Sequence, residues 1–218
     1  MIDIVGLGAW PYMEHTLAAS GDEKVNFELV GTFYTMGITG RWSQVVNLWS
    51  VPGGWDGWRT AVDRLNLARP ANKDLEGWWK QAFEHRTGGY DRLLAGAPGC
   101  PTPTGLVADG VSGTLFVHDS TEVRPGAQLD YLAAVREVRV PLLAERGHTL
   151  TGLYEVVGND YEVVTVWATD VDHHVALQRD RHTDDRLVAW RDEARRFTVH
   201  RREELMTPCP GIPIGPPR

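Results

Sequence analysis

The sequence predicts an α+β protein made of two tandem β-α-β-β-α-β units, each a ferredoxin-like split βαβ, packed through their sheets. Three observations carry this reading. The strings SQVVNLWS (residues 43–50) and YEVVTVWA (residues 161–168) read as one strand written twice. Their surroundings match in the same order: Gly31-Thr32-Phe33 to Gly37 and Gly152-Leu153-Tyr154 to Gly158 both follow G-x-aromatic-x-x-x-G upstream. Downstream come a Trp (Trp79, Trp190), then a Pro (Pro98, Pro208), then Cys-Pro (Cys100-Pro101, Cys209-Pro210). Markers repeated in order at a long period are the signature of duplication.

The second copy shows its elements most clearly. Leu115–Thr121 alternates as a strand does, and from Pro125 the apolar residues Leu129, Leu132, Ala133, Val135, Val138, Leu142 and Leu143 recur at helical spacing up to Arg146-Gly147. Residues 149–157 and 161–168 form a hairpin around Gly158-Asn159-Asp160, whose residues tolerate turn conformations. Helical stretches at 171–181 and 184–198 and a short strand near 204–207 complete the unit. The first copy begins with a strand at Ile2–Val5 and a helix at 11–19. A hairpin over 28–50, helices at 56–66 and 74–86 and a closing strand near 90–95 follow, and its hairpin turn is three residues longer than that of the second copy. These readings divide the chain into a first domain (1–96), a linker (97–113) in which Pro98, Gly99, Pro101, Pro103, Gly105 and Gly110 interrupt regular structure, and a second domain (114–218).

Composition narrows the functional classes. Among 218 residues, 22 are basic and 29 acidic, a formal charge of −7. The basic pairs Arg195-Arg196 and Arg201-Arg202 lie among Asp192, Glu193, Glu203 and Glu204, which argues against a nucleic-acid partner. No apolar run reaches membrane-spanning length, and Met1 is not followed by a basic-then-apolar leader, so the simplest expectation is a soluble cytoplasmic protein without a membrane partner. Two cysteines, Cys100 and Cys209, occupy equivalent positions. In the cytosol they are expected to be reduced, with a disulfide across the repeat as the alternative.

The stretches TEVRPGAQLDYLAAV, GLYEVVGNDYEVVTVWA and ELMTPCP resemble NIPSNAP-type domains of the dimeric α/β-barrel superfamily, and GTFYTMG and VVNLW resemble the same pattern more loosely. The resemblance implies two sheets closed into a pseudo-dimeric α/β barrel whose lumen takes small molecules. Its members include cofactor-free monooxygenases, cyclases and isomerases, haem enzymes, and proteins without known activity. It supports a fold more firmly than a reaction.

Strand alternation then proposes which side chains meet in such a lumen. Ser43, Val45, Asn47 and Trp49, and Tyr161, Val163, Thr165 and Trp167, form faces of mixed polarity suited to a pocket, whereas Val46, Leu48, Val164 and Val166 form aliphatic faces suited to helices. The alternative is that both faces are core, with Asn47 and Thr165 satisfied internally. On the strand at 115–121, Phe116, His118 and Ser120 point to the lumen. An imidazole's intrinsic pKa suits proton transfer near neutrality, so His118 is the candidate general base or acid; a packed structural histidine is the competing reading. Tyr34, Arg41 and Tyr161, near the hairpins that rim the barrel, are candidate polarising partners, although a shift of one residue reverses any face.

The substrate-binding candidates are thus Asn47, Trp49, Phe116, Ser120, Thr165 and Trp167. No metal site is expected: His173 and His174 diverge on a helix, and His182 lies about 12 Å beyond His174 along the axis. No nucleotide, hydrolase or zinc motif is present. The expected function is a cofactor-independent enzyme doing proton-transfer chemistry on an apolar or aromatic molecule, of isomerase, cyclase, lyase or monooxygenase type. The alternative is a non-catalytic binding or scaffold protein. Haem, which needs one axial His, stays open, as does a homodimer.

Overall fold

The computed structural model describes residues 1–20, 27–64 and 73–216. The first half contains β1 (Ile2–Ile4), α1 (Ala9–Ala19), β2 (Glu28–Thr35), β3 (Gln44–Ser50), α2 (Gly54–Val62), α3 (Lys73–Ala82) and β4 (Arg86–Gly89). β5 (Leu94–Gly96) and α4 (Pro103–Ala108) lead into the second half. That half comprises β6 (Leu115–Val123), α5 (Gln128–Ala134), a π-helical turn (Val135–Arg139), α6 (Val140–Ala144), β7 (Thr149–Val156), β8 (Glu162–Thr169), α7 (Val171–Asp180), α8 (Asp185–Ala194) and β9 (Thr198–Pro208). The expected helix over 56–66 ends at Val62, and its last two residues lie outside the described residues.

The strands of the described residues form one sheet in the order β4-β1-β3-β2-β9-β6-β8-β7-β5. Each half has the 4-1-3-2 order of a ferredoxin-like unit, and the halves are joined edge to edge. β9 pairs with β6 along most of its length and then reaches across to β2, Met206 facing Thr35 and Pro208 facing Phe33. The fourth strand of the first half does the same in two pieces: β4 pairs with β1, and β5 pairs with β7. Residues 90–93 connect those pieces, so the ring of strands closes into a barrel. The closing strand is thus not the single run near 90–95 that the sequence suggests, because it serves two neighbours. β9 is longer than expected for the same reason.

The repeated glycines have a packing cause. A Cβ on Gly31 would overlap the Phe33 ring, and one on Gly152 the Tyr154 ring. In each half the aromatic two residues on folds back over the glycine on the same strand face. The linker is more regular than its glycines and prolines suggest. Thr102 caps α4 by accepting from the Gly105 N–H at 3.1 Å, with Pro103 at the first helical position, where its missing N–H costs nothing. Asp170 and Asp184 cap α7 and α8 in the same manner.

Two apolar bodies result. Val117, Leu153, Val163 and Trp167 pack under Tyr131, Leu132, Val135, Leu142 and Trp190 of the second half's helices. Phe33, Val46, Phe116, Val166, Ala168 and Met206 fill the barrel interior, with Leu106, Ile212 and Ile214 in the same cluster. Phe33 and Phe116 meet there with ring centroids 4.8 Å apart.

This packing corrects the expected faces of β3 and β8. Phe116, His118 and Ser120 lie opposite Ala168, Val166 and Val164, so the aliphatic residues of β8 share the lumen face with them. Val163, Thr165 and Trp167 face the helices, where Trp167 donates to Thr165 Oγ1 at 2.9 Å and lies under the Arg139 guanidinium. On β3, Val46 pairs with Phe33 of the lumen. Asn47 points the other way, accepting from Thr32 at 2.7 Å and donating to Tyr12 of α1 at 3.4 Å, and Trp49 follows it by alternation. In a barrel the lumen must be filled, and aliphatic side chains fill it.

Candidate functional site

β2 runs antiparallel to β9, and Glu122 faces both Glu162 and His200, so β9 starts at the end where β7 turns into β8. Both hairpin turns, 36–43 and 157–161, therefore project from the same end of the barrel. That end is the mouth. Successive cross-strand pairs of β6 and β9 descend into it: Glu122 with His200, Ser120 with Arg202, His118 with Glu204, and Phe116 with Met206. The first two levels line an open cavity of about 360 Å³ together with Glu162, Val156, Asn159, Tyr90 and Arg92. The last level is the apolar plug.

Between plug and cavity lies a buried acid–base pair. His118 Nδ1 is 3.5 Å from Glu204 Oε2, and the Glu204 side chain is fully buried. Arg202, which lines the cavity, reaches down to within 3.2 Å of Glu204 Oε1. These contacts are close but not directed: His118 Nδ1 and both carboxylate oxygens lack a formed hydrogen bond among the described residues. Burial works against ionisation of Glu204, but His118, the Arg202 charge and the Arg41 backbone N–H together outweigh it and hold the carboxyl below its usual range. The pair is therefore an ionised carboxylate against an imidazole, one level below open solvent.

On the cavity wall Arg92 pairs with Glu162 and donates to Ser120 Oγ at 3.4 Å and to the Tyr90 hydroxyl at 2.9 Å. Asn159 stays in the turn, its side chain accepting from the Tyr161 and Glu162 N–H groups at 3.2 and 2.9 Å.

The structure brings together only part of the predicted site. His118, Phe116 and Ser120 share the lumen face, at the pair, the plug and the cavity wall respectively. Tyr161 is 47% exposed and lies in the turn before β8, outside the cavity lining. Tyr34 pairs with Val45 and Thr207 on the face opposite Phe33. The Arg41 side chain turns away to Asp3 at 3.0 Å, leaving only its backbone N–H toward Glu204. Asn47, Trp49, Thr165 and Trp167 belong to the helix side, as described above. The strand reading missed Glu204, Arg202, His200, Glu162 and Arg92. Extending β9 backward from residue 204 with period two would have placed His200, Arg202 and Glu204 on one face.

Among the described residues no cluster of His, Cys, Asp and Glu has metal-holding geometry. His173 binds its own N-cap, Asp170, at 2.7 Å, and His174 faces His148 at 3.4 Å. Cys100 and Cys209 are both free thiols, their pKa values pushed up by burial.

Neither a protein-family model nor a curated protein matches the chain. Solved structures do. Two proteins named "putative monooxygenase" resemble nearly the whole chain at 9% identity. That from Fusobacterium nucleatum subsp. nucleatum has a TM-score of 0.58 over 95% of this chain and 89% of its own. That from Lactobacillus acidophilus NCFM has a TM-score of 0.54 over 92% and 85%. An uncharacterized NIPSNAP domain protein from Burkholderia xenovorans is similar at 16% identity and a TM-score of 0.39, over 44% of this chain and 96% of its own. Among the described residues no helix is long and apolar enough to cross a membrane. The two long likenesses and the closed ring of strands identify the fold as that of the dimeric α/β-barrel proteins.

Proposed function

We propose that this barrel binds a small organic molecule at its mouth and moves a proton on it with the His118–Glu204 pair, without a resident cofactor. The observation that carries the reading is the buried, under-bonded imidazole–carboxylate pair directly beneath an open cavity, linked to it by Arg202. Glu204 faces Nδ1, which leaves Nε2 as the atom that accepts and returns the proton. Isomerisation, cyclisation, elimination and cofactor-free oxygenation all begin with such a transfer. The names of the neighbouring proteins favour the last, and the residues here supply the transfer common to all four.

A thermal-shift screen of small molecules comes first, since a ligand that binds only the folded state raises its apparent stability. Given a substrate, His118→Ala is expected to lower turnover by about 10²–10⁴-fold with the fold retained, the usual range for positioned proton transfer. If His118→Ala and His118→Asn keep wild-type turnover from pH 5 to 8, the histidine is structural. One observation favours a second reading, a non-catalytic binding protein: below the cavity the lumen is packed solid with Phe33, Phe116, Val166 and Met206. Under that reading ligands bind at the mouth and none is turned over.

A further inference from the structure

We infer that the mouth recognises the carboxylate of a small monoanionic organic acid, anchored by the Arg202 guanidinium; this rests on the small-molecule reading above. The charges around the cavity decide the ligand class. Glu162 is already neutralised by Arg92, and Glu204 is fully buried beneath the floor. Arg202 lines the cavity with 46% of its side chain exposed, and among the described residues its ion contact, to Glu204, is made through Nη2. A guanidinium carries five N–H donors in a planar fork, so it can hold a resident carboxylate with one edge and present the rest to an incoming one. His200 lies two residues away on the same strand face, and the Ser120 hydroxyl lies across from Arg202. Both can complete the shell of a bound carboxylate.

The neighbouring charges set the limit of one negative charge. Arg92 is matched by Glu162 and Arg202 by the buried Glu204, so with Glu122 also on the wall the mouth has no positive charge to spare for a second anionic group. Glu122 stands directly across from His200, one level outward. A dianion would meet it, and a cation would have to sit beside Arg202. Val156 and the Tyr90 ring supply the apolar wall, so the remainder of the ligand is uncharged and partly apolar. The cavity of about 360 Å³ stands at the lower end of the range for small-molecule sites, about 300–1,000 Å³.

The test pairs acids with their primary amides of the same shape: acetate and acetamide, benzoate and benzamide, phenylacetate and phenylacetamide, with phenylphosphonate as the dianion. Binding is measured by calorimetry and thermal shift at pH 7.5. At least one acid is expected to bind, more weakly as NaCl rises, while its amide does not. Removing a charge-assisted contact of this kind weakens binding by about tenfold or more. Arg202→Met/Glu204→Gln, which leaves no buried unpaired carboxylate, should show that loss. Arg202→Lys, which keeps the charge beside Glu204 but not the fork, should lose part of it. Amides binding as well as acids, or phenylphosphonate binding more tightly than benzoate, would overturn the carboxylate anchor and leave the small-molecule reading standing. If no acid of the panel binds, the anchor also falls. The unbiased screen then judges the broader reading separately.

Discussion

The two hairpin sides of the barrel mouth are built on one plan and differ in whether they are open. Equivalent positions carry equivalent hydrogen bonds: Met36 N–H donates to Leu205 at 2.8 Å on one side, and Val157 N–H donates to Leu93 at 2.9 Å on the other. The turn of the second side occupies residues 157–161, and that of the first, residues 36–43, is three residues longer. The extra length folds inward. Thr39 Oγ1 accepts from the Leu205 N–H at 3.0 Å, Arg41 pairs with Asp3, and Gln44 donates to Asp3 at 2.8 Å while 1% exposed. At the corresponding places of the second side, Glu122 and Glu162 face open space. The second side thus holds the open cavity, while on the first side the longer turn lies against Glu204.

A second contrast lies on the helix faces of the two sheets. On the first, hydrogen bonds run from Thr32 to Asn47 to Tyr12 of α1. The second holds a charge network around Asp119, which accepts from Arg139 at 2.6 Å and from Arg201 at 2.7 Å, while both arginines reach Glu203. Burial opposes ionisation of Asp119, but the two guanidinium groups overcome it and hold its pKa well below the usual carboxylate value. The π-helical turn brings Arg139 to this point, one residue of extra winding aiming a long side chain inward.

Breaking that network should have the largest effect. Asp119→Ala leaves Arg139, whose side chain is 5% exposed, without its main counter-charge, and removal of one partner of a buried pair costs about 3–5 kcal/mol. Denaturant unfolding measures it, and a loss below about 1 kcal/mol would show that the arginines repair themselves with Glu203. The next effect tests the sealed side of the mouth. A Cβ on Gly40 would stand 2.6 Å from Glu204 Cγ, so Gly40→Ala must push the turn off the carboxylate. Overpacking of this kind costs about 1–3 kcal/mol. Grafting the 36–43 turn in place of 157–161 should close the open side and abolish the thermal shift of any mouth ligand.

A smaller effect follows from His148 and His174, buried beside the charge network. Burial lowers both pKa values; the Arg146 carbonyl and Glu203 partly oppose this at His148, as Glu203 does at His174, while His174 and Arg139 add to it at His148. Both rings therefore take up protons less readily when folded than when unfolded, so the unfolded state binds more protons. Stability is full above the unfolded histidine value of about 6.5 and is lost as pH falls through the lower folded values. The melting temperature measured from pH 8 to 5 should decline, and decline less in His148→Phe/His174→Leu. The smallest effect concerns Asn47 and Thr165, which face helices: Asn47→Ala should cost about 1 kcal/mol for its lost hydrogen bonds, and neither it nor Thr165→Val should alter ligand binding at the mouth. A changed ligand affinity in either variant would restore those residues to the lumen.

Most elements, the hairpin turns and the inward face of β6 were legible in the sequence, because periodicity, glycine, proline and capping residues act locally; the split of the closing strand into β4 and β5 and the helix α4 were not. His118 was legible as well, since a titratable side chain between Phe116 and Ser120 on an alternating strand stands out. Its partner was not. Glu204 lies 86 residues further along and meets His118 only through the β6–β9 register, a property of two strands and not of either. The faces of β3 and β8 were reversed on the same ground. Polar and aromatic residues on one side of a strand mark either a pocket or a helix interface, and only the neighbour's register says which. The sequence by itself determined where most of the strands and helices form. The tertiary structure decided which face turns inward, which half of the mouth stays open and which arginine is left with donors to spare, since those depend on contacts between residues far apart in the chain.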